Sequence, residues 1–146
     1  MQGVRRNRSI PSATVIPVLI YPDVREAVAW LTAAFGFRER LRIGEGHRSQ
    51  MEVDGGGAVI VADVRHDRVP PEPGQVTHQL KVRVEDADAH FARAKAHGAT
   101  IRQEPTDFEY GEREYDATDP WGHQWQFTQT LDDVDPADWG GILHPQ

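Results

Sequence analysis

Residues 15–21, Val-Ile-Pro-Val-Leu-Ile-Tyr, form a continuous apolar run of the kind shown by a strand buried on both faces, with Pro17 marking an edge or a bulge. A second run, residues 78–84, alternates instead: Leu80, Val82 and Val84 face one side, and Gln79, Lys81 and Arg83 the other. A helical pattern follows each run. After Asp23, which with Glu26 makes a capping box, Val24, Ala27, Val28, Leu31, Ala34 and Phe35 recur at spacings of three and four and form an apolar stripe that must pack on a sheet. Gly36 supplies the stop. In the second pattern Asp86 or Asp88 is the cap, Ala87, Phe91 and Ala94 are the apolar positions, and Gly98 is the stop.

The landmarks recur at nearly constant offsets: 63 positions from Asp23 to Asp86, 62 from Gly36 to Gly98, and 65 from the turn at Asp54-Gly55-Gly56-Gly57 to the turn at Asp119-Pro120-Trp121-Gly122. Residues 12–63 and 77–129 therefore read as two copies of one strand, helix, strands unit. Two copies fall short of the roughly three that a solenoid needs, so two modules packed around a shared cavity are predicted. Ile16, Val18 and Ile20 give that cavity an apolar wall, and Gln79, Lys81 and Arg83 a hydrogen-bonding one. Such a site suits an amphipathic small molecule. The expected organisation is a disordered N-terminal tail (1–12), a first module (13–64), a linker stiffened by Pro70, Pro71 and Pro73 (65–76), a second module (77–130) and a C-terminal tail (131–146). Trp139 and Leu143 in that last tail would dock on the chain's own body or on a second subunit.

At 146 residues the chain has room for one ordinary domain or two tightly associated modules. It has no cysteine, which removes disulfides, thiolate metal ligands and cysteine nucleophiles, and suits a cytoplasmic protein. No stretch approaches the roughly 20 apolar residues of a membrane span, and residues 1–12 lack the apolar segment of a signal peptide. The net charge of -7 opposes nucleic-acid binding, despite the basic cluster of Arg5, Arg6 and Arg8.

Candidate chemistry is sparse. Gly55-Gly56-Gly57 is a hairpin turn and not a phosphate loop, because no helix start follows it. Glu112 and Glu114 could act as an acid and a base, but read more simply as solubility devices on an exposed strand edge. Arg113 either fixes its loop through a carboxylate or points at a ligand. Tyr115, Trp121 and Trp30 offer flat surfaces that either a ligand site or core packing would use.

Residues 110–127, from the Tyr-Gly-x-Arg lead-in to the Asp-Pro-x-Gly turn and the strand after it, resemble the vicinal oxygen chelate superfamily, together with the internal duplication and residues 84–89, Val-Glu-Asp-Ala-Asp-Ala. That superfamily includes glyoxalase I, extradiol dioxygenases, fosfomycin-modifying enzymes and bleomycin resistance proteins. The resemblance covers about residues 13–130. It implies an α+β fold in which two βαβββ modules in one chain form a curved mixed-sheet cup, often with a divalent metal held by His, Glu or Gln, and it implies a homodimer. Counted from the two helix caps and the two turns, the family's ligand positions fall on Ile16, Gln79, Val61 and Gln126. Two aliphatic side chains and two neutral amides do not suit a divalent cation, so no metal, no cofactor and no catalytic residue is expected. By parity His78 and His123 face the helix, a register slip of one being the only escape for His78. His47, His66, His90, His97 and His144 fall on loops, helix surfaces or the tail.

The resemblance and the residues together favour a metal-free protein that binds an antibiotic or metabolite in the cup. Gln79, Lys81, Gln124 and Gln126 would hydrogen-bond the ligand, with Ile16, Val18, Val61 and Tyr115 as apolar contacts. The alternatives are a metal-dependent lyase, isomerase or dioxygenase using His78 and Gln126, a metal-free enzyme with Lys81 or Glu114 as base, and a filled barrel in which Gln79 and Gln126 bond each other.

Overall fold

The structure is a computed structural model that describes residues 3–145; residues 1, 2 and 146, which belong to the two expected tails, lie outside the described residues. The chain divides into two compact units, Met1–Gln75 and Val76–Gln146. Each is a βαβββ module with a four-stranded mixed sheet.

In the first unit, β1 (Val18–Ile20) leads into α1 (Val24–Phe35), followed by β2 (Arg38–Ile43), β3 (Arg48–Val53) and β4 (Gly57–Ala62). The sheet order is β1-β4-β3-β2, with β1 parallel to β4 and the other neighbours antiparallel. Helix α1 starts where expected, because the Asp23 carboxylate accepts the N–H of Glu26 at 3.0 Å. It stops at Gly36, whose φ of 77° puts it in the left-handed region that glycine occupies without a Cβ clash. All six residues of the apolar stripe are buried. Strand β1 is shorter than the apolar run suggested. Pro17 lies just before it and offers its carbonyl to the Ile60 N–H at 2.9 Å, a position at the end of an edge strand where a missing donor does no harm.

In the second unit, β5 (Leu80–Arg83) leads into α2 (Ala87–Ala96), then β6 (Thr100–Asp107), β7 (Glu112–Thr118) and β8 (Gln124–Thr130), in the order β5-β8-β7-β6. Asp86, and not Asp88, is the cap, accepting the Ala89 N–H at 3.0 Å. The segment after β8 folds back on its own unit. Leu131 N–H donates to the Gly111 carbonyl at 2.8 Å, and the Trp139 ring, in a short 3-10 helix (Pro136–Trp139), tilts against Tyr110 at 5.4 Å between centroids. Among the described residues, no helix is long and apolar enough to cross a membrane.

The two units differ by one residue before their last strands. Tyr21 N–H bonds the Ala62 carbonyl as Val84 N–H bonds the Thr128 carbonyl, so Ala62 corresponds to Thr128 and Ile60 to Gln126. The Asp54 and Asp119 turns are offset by one residue less than these strands. The count that made Val61 the counterpart of Gln126 is corrected accordingly.

Candidate functional site

Side-chain alternation gives each sheet one face toward its helix and one away from it. In the second unit Trp125, Phe127, Tyr115 and Ala117 are fully buried. Tyr115 identifies the side: its ring meets Phe91 of α2 edge-on at 5.5 Å and stacks on Phe127 at 5.2 Å, and its hydroxyl bonds the His90 Nδ1 on α2. Burial pushes the Tyr115 phenol pKa up. Tyr115 is therefore a core residue of the helix side, which corrects its assignment as a ligand contact. Trp121 and Trp125 also serve packing and the turn, through the Asp119 carboxylate described below.

Period-two alternation then fixes the opposite, open face: Lys81 and Arg83 on β5, Gln124, Gln126 and Thr128 on β8, and Glu112, Glu114 and Asp116 on β7. Lys81 and Asp116 are the Cα partners of Gln126 on its two sides, and Glu114 is the partner of Thr128. A hydrogen-bonded network crosses this face. Glu114 is 1% exposed, with Lys81 Nζ 2.7 Å from its Oε2 and the Tyr110 hydroxyl donating to its Oε1 at 2.5 Å. Thr128 Oγ1 donates to Glu112 Oε1 at 2.6 Å, and Lys81 Nζ lies 5.6 Å from the centroid of the Tyr110 ring. Burial pushes the Glu114 carboxyl up, but the bonds from Lys81 and Tyr110 oppose it and the group is held below the usual carboxylate range. The Tyr110 phenol, itself desolvated and bonded to that carboxylate, is pushed up to about 12.

Glu112 and Glu114 are thus not edge-strand solubility devices. Strand β7 lies between β6 and β8, so these carboxylates sit mid-sheet, Glu114 buried and Glu112 and Asp116 half-buried. The signal was present in the sequence, since Glu112, Glu114 and Asp116 alternate as Gln79, Lys81 and Arg83 do, but the sheet order was not. Asp116 adds a feature that sequence reasoning missed: its Oδ1 is buried and has no hydrogen-bond partner. Arg113, on the opposite parity, binds Asp107 at 2.6 and 3.2 Å and Asp88 of α2 at 3.0 Å, so it fixes the β6–β7 loop to the helix.

In the first unit the open face is largely apolar. Glu39 marks the helix side, being gripped by Arg25 of α1 and by Ser49 Oγ, and Ser49 pairs with Val61, which pairs with Leu19. Val61 consequently faces α1, 0% exposed, and leaves the candidate set. Its place on the open face falls to Ile60, whose strand partners there are Val18 and Gln50. Gln50, buried, accepts from Arg40 Nη1 and donates Nε2 to the Ser9 carbonyl at 2.9 Å, while Arg40 Nη2 donates to the Arg8 carbonyl at 3.0 Å. The segment expected to be a disordered tail is thereby held at residues 8 and 9.

Of the other candidates, Lys81, Gln124 and Gln126 lie together on the second open face and Val18 lies on the first. Ile16 and Gln79 precede their strands, half-buried and exposed respectively. His78 is exposed before β5, and His123 is buried in the turn beside Trp125. At the two equivalent last-strand positions, Ile60 offers no lone pair and Gln126 only a neutral amide, which suits a divalent cation poorly. Among the described residues no group of three His, Cys, Asp or Glu side chains could hold a metal ion.

The Asp-Pro-x-Gly turn has a physical cause. Asp119 Oδ1 accepts the N–H groups of Trp121 and His123, each at 3.0 Å, and its Oδ2 accepts the indole N–H of Trp125 at 3.1 Å, so one carboxylate closes the turn and ties it to the core. Residues 13–127 match the model of the Glyoxalase/Bleomycin resistance protein/Dioxygenase superfamily. The chain belongs to this superfamily. The crystal structure of TioX from Micromonospora sp. ML1 is 37% identical to this superfamily member, with a TM-score of 0.68, covering 82% of this chain and 100% of that one. A family enzyme from Burkholderia phytofirmans PsJN, at 16% identity and TM-score 0.66, covers 82% of this chain and 100% of its own. The fosfomycin resistance protein FosX from Listeria monocytogenes, at 16% identity and TM-score 0.65, covers 82% of this chain and 92% of its own. The last two likenesses show the shared fold. No curated protein matches.

Proposed function

We propose that this superfamily member is a metal-free binding protein for a small, partly aromatic molecule, an antibiotic or metabolite. The observation that carries this reading is the side-chain chemistry of each sheet's face away from its own helix, Val18, Ile20 and Ile60 in the first module and Lys81, Gln124 and Gln126 in the second, which offers apolar and hydrogen-bonding groups. Ile16 and Gln79 lie just before the first strand of their own modules. Lys81 and Glu114 neutralise each other at 2.7 Å, which speaks against either as a free general base. The bleomycin resistance proteins named in the superfamily supply the precedent, and a homodimer and a cytoplasmic setting, the latter suited by the lack of cysteine, belong to the same proposal.

Metal analysis of protein purified without chelators, an assay with methylglyoxal–glutathione hemithioacetal, and titration with planar antibiotics followed by Trp fluorescence and thermal shift test the reading together. The expected result is substoichiometric metal, no turnover, and saturable quenching with a raised melting temperature. Stoichiometric zinc, nickel, iron or manganese with turnover would establish the metal-dependent lyase, isomerase or dioxygenase instead.

A further inference from the structure

The two modules repeat one arrangement on their open faces and fill it differently. In the first, a bulge between Glu39 and Leu41 sets Arg40 beside Gln50, and Gln50 pairs with Leu41 on one side and Ile60 on the other. In the second, the matching bulge between Ile101 and Gln103 contains Arg102, and Asp116 pairs with Gln103 and Gln126. Asp116 is thus the counterpart of Gln50, and Gln126 that of Ile60.

Gln50 is satisfied by the chain itself, taking a hydrogen bond from Arg40 and giving one to the Ser9 carbonyl. Asp116 is not. Its Oδ1 is buried without a hydrogen-bond partner, and Arg102 Nη2 donates instead to the Trp125 carbonyl at 3.5 Å. Lys81, on the far side of Gln126 from Asp116, is engaged by Glu114. A carboxylate oxygen accepts, so a ligand that completes this position by hydrogen bonding brings an N–H or O–H donor, and a cationic donor bonds a carboxylate most strongly. A buried acceptor left unmet works against folding, and such groups concentrate at functional positions.

We infer that Asp116, flanked by Gln126, is the anchoring point for a cationic N–H head group, an amine, amidine or guanidine, on the ligand received by the second module's open face. The inference rests on the binding reading above and adds the chemistry of one end of the ligand. Gln126, an amide with both donor and acceptor, orients the same group from the neighbouring strand. Lys81, neutralised by Glu114, leaves the position open to a positive charge.

Benzamidine, benzamide and benzoate, which share one ring and differ only in head group, are suitable probes. Each is titrated into isotopically labelled full-length protein, with backbone amide shifts read on β7 and β8, and the series is repeated with Asp116→Asn. The expected result is that benzamidine binds most tightly with shifts centred on residues 116 and 126, that benzoate binds least, and that the Asn variant, folded by its own spectrum, weakens benzamidine by about tenfold or more. Equal binding of benzoate and benzamidine, or an unchanged benzamidine affinity in the variant, would overturn the inference. Failure of benzamidine to bind while a neutral planar antibiotic still quenches Trp fluorescence would overturn it too, yet leave the binding reading standing; failure of both would remove both.

Discussion

Replacing Asp119 by Ala tests the claim that one carboxylate holds the last turn of the second module. The side chain is 3% exposed and accepts three hydrogen bonds, two from backbone N–H groups and one from the indole of Trp125, which is itself fully buried. A hydrogen bond to a charged group contributes about 1.5–3 kcal/mol, and neighbouring bonds are not additive, so the loss should be about 3–4 kcal/mol rather than the full sum. At roughly 2–4 °C per kcal/mol for a chain of this size, the melting temperature should fall by about 6–16 °C. Asp119→Asn keeps Oδ1 but turns an N–H group on the indole N–H, so it should cost about 1–3 kcal/mol. The matched control is Asp54→Ala at the corresponding turn of the first module. The Asp54 side chain is 83% exposed and reaches only Arg38, at 3.1 Å, a solvent-screened pair whose removal should leave the midpoint nearly unmoved. Urea and thermal unfolding followed by Trp fluorescence and circular dichroism give the comparison. An Asp54 variant as damaged as the Asp119 variant, or an Asp119→Ala protein unfolding like the parent, would refute the reasoning.

Two further outcomes follow from the same geometry. Because the Glu114 carboxyl is held below its ordinary value of 4.5, its contribution to stability is fully present above that value and is lost as pH falls through the lower folded-state pKa. Glu114→Gln should therefore flatten the acid limb of a stability-against-pH curve, and should let Tyr110, now at about 12, ionise earlier in an ultraviolet titration; an acid limb as steep as the parent's would count against the network. Gly111→Ala places a Cβ 2.5 Å from the Asp132 carbonyl oxygen at a φ of 87°, so it should destabilise by about 2 kcal/mol or more and expose the segment around Trp139 to proteolysis. A proteolysis rate equal to the parent's would show that the segment is not held there.

The helices were legible because their signals are local. Asp23 and Asp86 cap within three residues, and the stripe from Val24 to Phe35 has its period written in the sequence. The duplication and the final turn were legible for the same reason, each being a short pattern of fixed spacing. Face assignment was less direct: strand parity is carried by single residues, and one extra residue between the turn and β8 was enough to make Ile60, and not Val61, the counterpart of Gln126.

By itself the sequence determined two βαβββ modules, their caps, their turns, and the contrast between an apolar Val18–Ile20 strand and an alternating one around Lys81. Only the tertiary structure decided that β7 is an inner strand, and with it that Glu114 is buried and paired, that Tyr115 belongs to the core, and that Asp116 holds an unmet acceptor. The reason is physical. Capping and amphipathic periodicity are set by neighbours along the chain, whereas burial of a carboxylate depends on which strands flank it, and those strands are brought together only by folding.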